Sequence, residues 1–279
     1  RSVITDEGRD CLSDLLTMLI LPCNIFLSFE GNTDMSALKS SLLTVIISVL
    51  VMLCTAILGK VIYRHREERK AKVFRYGLVN SNALFIGLPI IQSLLGDAGV
   101  LQLSMYMIFV RMFCWSYGLS LYTGVKSDWK GSFKRLLTHP CMIAAALGVA
   151  AMVTGIRLPA FLDRTLQYVS SCLMALSMLL IGVVLSEIKL KEVFCGDVWR
   201  FTALRLGVMP GIVFGLCKLC GVPYIVTATC TLVSGMPAAS LTAVLAARYH
   251  GDSELGALLV AVSTILSAVT IPLWFMILQ

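Results

Sequence analysis

The chain has 279 residues, 58% of them hydrophobic and only 14% charged, with a mean hydropathy of +0.86. A soluble domain carries roughly 25% charged residues, so the composition excludes a water-soluble fold and makes a bilayer the natural solvent. The net charge of +7 lies in short basic runs between apolar stretches, a topology signal that sets nucleic-acid binding aside.

A spanning helix needs about 20 mostly apolar residues, and nine such stretches follow one another. The first, over 11–29, comes after a charged beginning at Arg1 and carries Leu21-Pro22-Cys23-Asn24. The second covers 38–63 and runs into the basic segment Arg64 to Lys72, read as a cytoplasmic loop with anionic lipid as a secondary contact. The third, 73–95, contains Asn80-Ser81-Asn82-Ala83-Leu84-Phe85-Ile86-Gly87-Leu88-Pro89 and ends at the turn Gly96-Asp97. The fourth, 98–123, holds Arg111. Stretches 139–156 and 163–186 are plain apolar spans. The seventh, 198–218, carries Arg205 and a small-residue face of Gly207, Gly211 and Gly215 around Pro210, which lets helices approach closely. The eighth, 222–247, contains Thr231 to Ala238 with Ser234, Gly235 and Pro237, and leads to the turn Gly251-Asp252. The ninth, 254–278, holds Ser263 and Thr264. Most of the ten cysteines lie inside these spans, where thiols act as small hydrophobes. Cys217 and Cys220 have CxxC spacing without a second pair or a nearby His, so no metal or cofactor is expected.

Basic residues orient the spans. Of the 23 Lys and Arg, 17 flank one side, four the other, and Arg111 and Arg205 fall inside. The alternation places the Arg1 end in the cytoplasm and the Gln279 end outside, in an integral membrane protein.

The segments ending in Pro89 and Pro237 resemble each other. Each has small or polar residues and a mid-span proline, then a Gly-Asp turn and a further span, with the two turns on opposite sides. This is the sign of an inverted-repeat carrier with its site at the repeat interface. Pro89 precedes Gly96 by seven residues and Pro237 precedes Gly251 by fourteen, which makes the second half-helix about two turns longer. Five spans lie in 139–278 and four in 11–123, so an inverted pair expects one more span before Arg1. The chain divides into a scaffold helix (1–35), a transport unit broken at Pro89 (36–125), scaffold helices (136–192) and a transport unit broken at Pro237 (193–279).

Proline removes a backbone donor and clashes with the preceding turn, and in lipid the freed carbonyls survive only inside protein or beside water. Two breaks at matching depth can cross, and their half-helix N-termini favour anions. Asn80, Ser81 and Asn82 add side-chain donors and acceptors, while Gly87 and Gly235 allow backbone conformations closed to other residues. Arg111 lies 14 residues beyond Asp97, ~21 Å along a helix, where it either meets a substrate carboxylate or ties helices together through carbonyls. Arg205 is expected to snorkel towards the cytoplasmic end. Acidic residues fall in turns and loops, apart from Asp14 near the start of its span, so no buried acid is expected to carry a proton or sodium. Uniport and coupling through hydroxyls and carbonyls such as those of Ser263 and Thr264 are the remaining alternatives.

At these motifs the chain resembles the auxin efflux carrier family, bacterial members included. The carriers of the resemblance are Asn82 to Pro89 (NALFIGLP), Leu21 to Asn24, Met236-Pro237-Ala238-Ala239, Ala247 to Asp252, Ser263 to Ser267 and Thr270-Ile271-Pro272. The resemblance implies an all-α polytopic membrane fold of inverted five-helix repeats with two crossed broken helices, related to sodium/proton antiporters and bile-acid symporters. It implies a carrier of organic anions such as auxin, malonate or malate, with Pro89 and Pro237 at the crossover and Asn82 beside the first. The reading of the residues themselves adds Asn24, Asn80, Ser81, Gly87, Arg111, Ser234, Gly235, Ala238, Ser263 and Thr264 to the candidate site, Arg111 matching none of the family's motifs. A homodimer through the scaffold helices is the candidate assembly. A transporter-fold sensor that binds a ligand without moving it is the alternative, and an enzyme is not expected.

Overall fold

The computed structural model describes residues 6–30, 35–123, 131, 138, 140–156, 158–186, 196–249 and 251–279. Among them the chain is helical, apart from short links and one isolated bridge. The elements are α1 (Asp6–Leu15), a π-helical turn (Leu16–Ile20), α2 (Leu21–Glu30), α3 (Met35–Ile62) and α4 (Glu68–Val79). A second π turn (Ala83–Gly87) leads into α5 (Leu88–Phe113), and a third (Cys114–Gly118) into α6 (Leu119–Thr123). Then come α7 (Pro140–Thr154), α8 (Ala160–Ser186), α9 (Gly196–Ala203), a fourth π turn (Leu204–Val208), α10 (Met209–Leu219), α11 (Tyr224–Ser234), α12 (Leu241–Arg248) and α13 (Ser253–Leu278).

Helix α3 shows which solvent the fold is built for. Leu42, Ile46, Leu50, Leu53 and Ile57 point outward at helical spacing, while Ser41, Thr44, Ser48 and Thr55 are buried. A water-soluble helix has the opposite polarity. Three of these buried hydroxyls are satisfied locally or by neighbours: Thr55 donates to the Val51 carbonyl at 2.8 Å, Ser48 to the Val45 carbonyl at 2.7 Å, and Thr44 to Gln102 Oε1 on α5 at 2.6 Å, while Ser41 Oγ has no partner among the described residues. Helix α13 repeats the pattern, with Ile265, Val269, Leu273 and Met276 outside and Ser263, Thr264 and Ser267 inside. Lipid as the outer solvent accounts for both faces. Among the described residues, four helical runs are long and apolar enough to cross a membrane: Lys39–Ile62, Ala83–Tyr122 with its turn at Gly96, Gly196–Leu219 and Ser253–Leu278.

Three of the four π turns end two residues before a proline: Ile20 before Pro22, Gly87 before Pro89 and Val208 before Pro210. A proline ring clashes with the carbonyl four residues back, here Met18, Phe85 and Leu206, each the central residue of a π turn. Widening that turn makes room for the ring while the helix continues. The Leu206 carbonyl, which Pro210 cannot bond, accepts instead from the Trp274 indole Nε1–H at 2.8 Å. This contact joins the π turn before α10 to α13, and a Cβ on Gly211 would stand 3.4 Å from the same indole. Gly207 and Gly215 have no such neighbour among the described residues, where the expected three-glycine packing face reduces to one position.

Helix α2 packs on α7 and α8, while α3, α4, α5, α10, α11, α12 and α13 pack on one another. The two groups meet where α8 touches the π turn before α5 and where α2 touches α5. Gly96, at φ +63°, makes the expected turn before the rest of α5. Asp252 caps α13 by accepting from the Leu255 N–H at 2.9 Å.

Candidate functional site at the helix crossover

The first spanning helix to break does so at Asn80–Asn82, where α4 ends and the backbone leaves the helix for three residues, extended at Asn80. The second break runs from Gly235 to Ser240, between α11 and α12. The two unwound segments cross and pair as a short antiparallel bridge between Ser81 and Ala238. The Asn82 N–H donates to the Pro237 carbonyl at 2.8 Å, and the Ala239 N–H donates to the Asn80 carbonyl at 3.1 Å. Each break thus supplies backbone partners to the other, which answers the need to satisfy unwound backbone in lipid. Helix α13 adds a tether. Ser263 Oγ accepts from the Ala238 N–H at 3.1 Å and donates to the Leu259 carbonyl at 2.6 Å.

Two expectations about the breaks change. Pro89 does not make the first break; it lies seven residues beyond Asn82, inside a helix that its π turn keeps continuous. Polar side chains and pairing with the second break unwind the chain there. The second half-helix is also not the longer one, since α12 has eight residues whereas helix runs from Ala83 to the Gly96 turn. The proline spacing misleads because Pro237 sits within its break and Pro89 beyond its own. Gly87 and Gly235 have ordinary right-handed torsions, with φ of −69° and −87°. Their value is close approach: a Cβ on Gly87 would stand 3.3 Å from Met236 Cγ, and one on Gly235 3.3 Å from the Pro210 ring.

The remaining expected residues divide by place. Asn80 donates through Nδ2 to the Tyr76 hydroxyl at 2.9 Å. Asn82 is 2% exposed, and neither its Nδ2 nor its Oδ1 has a hydrogen-bond partner among the described residues. Thr264 Oγ1 is likewise buried without one. Ser81 is buried at the bridge, while Ser234 donates back to the Thr231 carbonyl at 2.8 Å in its own helix. Asn24 lies away from the crossover and donates to Ser170 Oγ on α8 at 2.9 Å. Arg111 lines a cavity of about 30 Å³ with Leu21, Ile25, Leu84, Leu88 and Cys141. That volume suits about one water and is too small for a carboxylate substrate in this conformation.

Arg205 is the residue that sequence reading misplaced. It follows Gly196 by nine residues, ~14 Å of helical rise, and is 2% exposed, so it does not snorkel. Its Nε donates to the Met236 carbonyl at 2.9 Å and its Nη1 donates to the Leu78 carbonyl. One guanidinium therefore holds the end of α4 and the second break together. The available signal was an arginine more than two turns inside an apolar helix without an acidic residue in reach.

The two ends of the crossover differ. Towards the basic loops, an aromatic cluster fills the space: Tyr63 stacks on Phe74 at 4.4 Å, and Tyr76 packs edge-on to Tyr122 at 5.6 Å. Tyr249 continues the cluster at 6.2 Å from Tyr122. Towards the Gly96 turn and the end of α13, a 490 Å³ cavity opens between the first broken helix and α13. It is lined by Ile86, Ile90 and Ser93 on one wall and by Thr264, Ser267 and Ile271 on the other. Its inner end adjoins the crossover, because the Ile86 N–H donates to the Asn82 carbonyl and Thr264 follows Ser263. Among the described residues, none of the buried polar side chains is a carboxylate, and no cluster of His, Cys, Asp and Glu can hold a metal ion.

Comparison with known proteins agrees with this architecture. A family described as membrane transport protein matches residues 1–275. An uncharacterized transporter of Methanocaldococcus jannaschii is 26% identical over 98% of this chain and 90% of its own length. An uncharacterized transporter of Methanothermobacter thermautotrophicus is also 26% identical, over 99% of this chain and 91% of its own. With a family match over nearly the whole chain and two crossed, broken helices at its centre, the protein belongs to the membrane transport protein family, that of the auxin efflux carriers.

Proposed function

We propose that the protein is a secondary carrier of a small organic anion, with a carboxylate as the favoured class, and that the crossover is its binding site. The observation that carries this reading is a pair of buried, unpartnered polar groups: the Thr264 hydroxyl, which lines the 490 Å³ cavity, and the amide of Asn82, whose backbone carbonyl accepts from the N–H of the cavity residue Ile86 one helical turn away. A cavity of that size takes a small organic molecule, and unpaired buried amide and hydroxyl groups gain most from a ligand that hydrogen-bonds them. The N-terminal ends of the half-helices starting at Ala83 and Leu241 face the crossover and favour negative charge. The fixed positive charge of Arg205, without a buried carboxylate among the described residues, favours it further.

The conformation, filled by aromatic rings on one side and open on the other, suits one state of an alternating-access cycle. In the orientation set by the basic loops, the open side is outside and the Arg1 end is cytoplasmic. Helices α1, α2, α7 and α8 act as the scaffold against which the crossover unit moves, and the contact between α8 and the π turn before α5 lies on the sliding boundary. Arg111 sits on that boundary, close to α2 and α7, and lies outside the binding cavity in this state.

A ligand screen by thermal melting of the purified protein tests the reading. A ligand at about 100 times its Kd adds ~2.7 kcal/mol of stability. Short mono- and dicarboxylates should raise the melting midpoint of the wild type and leave Asn82→Leu unmoved. Equal shifts in both proteins would place the site elsewhere, and a ligand that stabilises the protein but is not taken up by proteoliposomes would favour a sensor.

A further inference from the structure

Breaking a helix inside a membrane creates two kinds of end. The N-terminal ends of the second halves carry partial positive charge, and the C-terminal ends of the first halves carry partial negative charge on unsatisfied carbonyls. In carriers built this way, unwound carbonyls and half-helix C-termini form the places where coupling cations bind. In this chain those carbonyls belong to Leu78, in the last turn of α4, and Met236, just past α11. Both accept from the Arg205 guanidinium.

We propose that Arg205 is a resident cation. It occupies the carbonyl site that a soluble sodium or other alkali cation would need, and so makes the crossover independent of such ions. The assignment rests on the carrier reading only for its consequence in transport; the occupancy itself is a matter of charge and geometry. Several observations bear on it. The side chain is 2% exposed, and its charge is met by two backbone carbonyls, one from the last turn of α4 and one from the second break. Its helix is held in register by the neighbouring residue, because the Leu206 carbonyl accepts from Trp274 on α13. The Pro210 ring stands over Gly235, where a Cβ would come within 3.3 Å of it, and so seats the same helix against the second break. A delocalised guanidinium reaches two carbonyls at once, whereas an ammonium acts as a point charge, so lysine should substitute poorly. Arg205 is a positioning residue in this account: it fixes the ends of both breaks and leaves Asn82 and Thr264 to meet the ligand.

The test replaces the fixed cation by a diffusible one. Wild-type protein should melt at the same temperature in sodium, lithium, potassium and choline salts of equal ionic strength, and its uptake in proteoliposomes should not change when choline replaces sodium. Arg205→Ala should melt lower, lose uptake by at least about tenfold, as expected for two charged hydrogen bonds, and recover both on addition of millimolar guanidinium, which should leave the wild type unmoved. Arg205→Lys should fall between the two. Sodium or lithium raising the wild-type midpoint would overturn the proposal. So would Arg205→Met behaving as wild type, or a folded Arg205→Ala that guanidinium does not stabilise. If Arg205→Ala is not recovered folded, the wild-type salt series decides. A protein that meets the melting criteria yet moves no solute contradicts the carrier reading and leaves the resident cation in place.

Discussion

Replacing Asn82 by leucine should make the protein more stable and less functional at the same time. The amide is 2% exposed, and neither Nδ2 nor Oδ1 has a partner among the described residues. A buried polar group left unpaired costs about 1–3 kcal/mol, so two such groups cost roughly 2–6 kcal/mol in the ligand-free protein. Leucine keeps the branching at Cγ and removes both groups; its extra bulk costs about 1–3 kcal/mol in a packed site. The net expectation is a gain of about 1–3 kcal/mol. For a chain of this size each kcal/mol moves the midpoint by about 2–4 °C, a rise readily measured by intrinsic fluorescence melting in detergent. The Asn82 N–H to Pro237 bond belongs to the backbone and survives the substitution, so the crossover itself stays paired. A fall in the midpoint would show that the amide is satisfied in the folded protein and would refute the reasoning. So would a stabilised variant that still responds to every ligand the wild type binds.

Other consequences are narrower. Trp274→Phe removes the donor to the Leu206 carbonyl, which Pro210 cannot replace, and should cost about 1–3 kcal/mol by thermal melting; no loss would mean that the carbonyl has another donor. Gly235→Ala brings a methyl within 3.3 Å of the rigid Pro210 ring, whereas Gly87→Ala meets the flexible Met236 side chain at the same distance. The former should lose about 1–3 kcal/mol by overpacking and the latter clearly less, and the reverse order would contradict the close-approach role assigned to Gly235. Burial first, and then the Asp197 carboxylate, with Arg66 opposing, push the Tyr63 phenol up to about 12. A folded value above the ordinary one of about 10 contributes stability that is complete below pH ~10 and lost as pH rises towards 12. Tyr63→Phe should flatten that alkaline limb in melting curves, and an unchanged limb would assign it to other groups.

The spans were legible because lipid selects long apolar windows. The crossed architecture was legible from paired polar and proline-bearing segments. The exact seat of the first break was not, because Pro89 looks like a helix breaker in one dimension, yet a π turn absorbs it and the Asn80–Asn82 segment unwinds instead. Pro22 and Pro210 are absorbed in the same manner. Arg205 escaped for a related reason: counting residues gives depth along a helix but not the direction in which a side chain turns. Its partners, Leu78 and Met236, are 127 and 31 residues away. Arg111 illustrates the converse, a charge deep in its span whose surroundings hold only a 30 Å³ cavity.

The most direct measurement is uptake of radiolabelled short carboxylates into proteoliposomes containing wild-type protein or Asn82→Leu. The account predicts saturable uptake of at least one organic anion by the wild type, at the same rate in sodium and choline media, and none above empty liposomes for the more stable Asn82→Leu. Uptake by Asn82→Leu equal to that of the wild type, for a substrate the wild type carries, would contradict the placement of the site at the crossover.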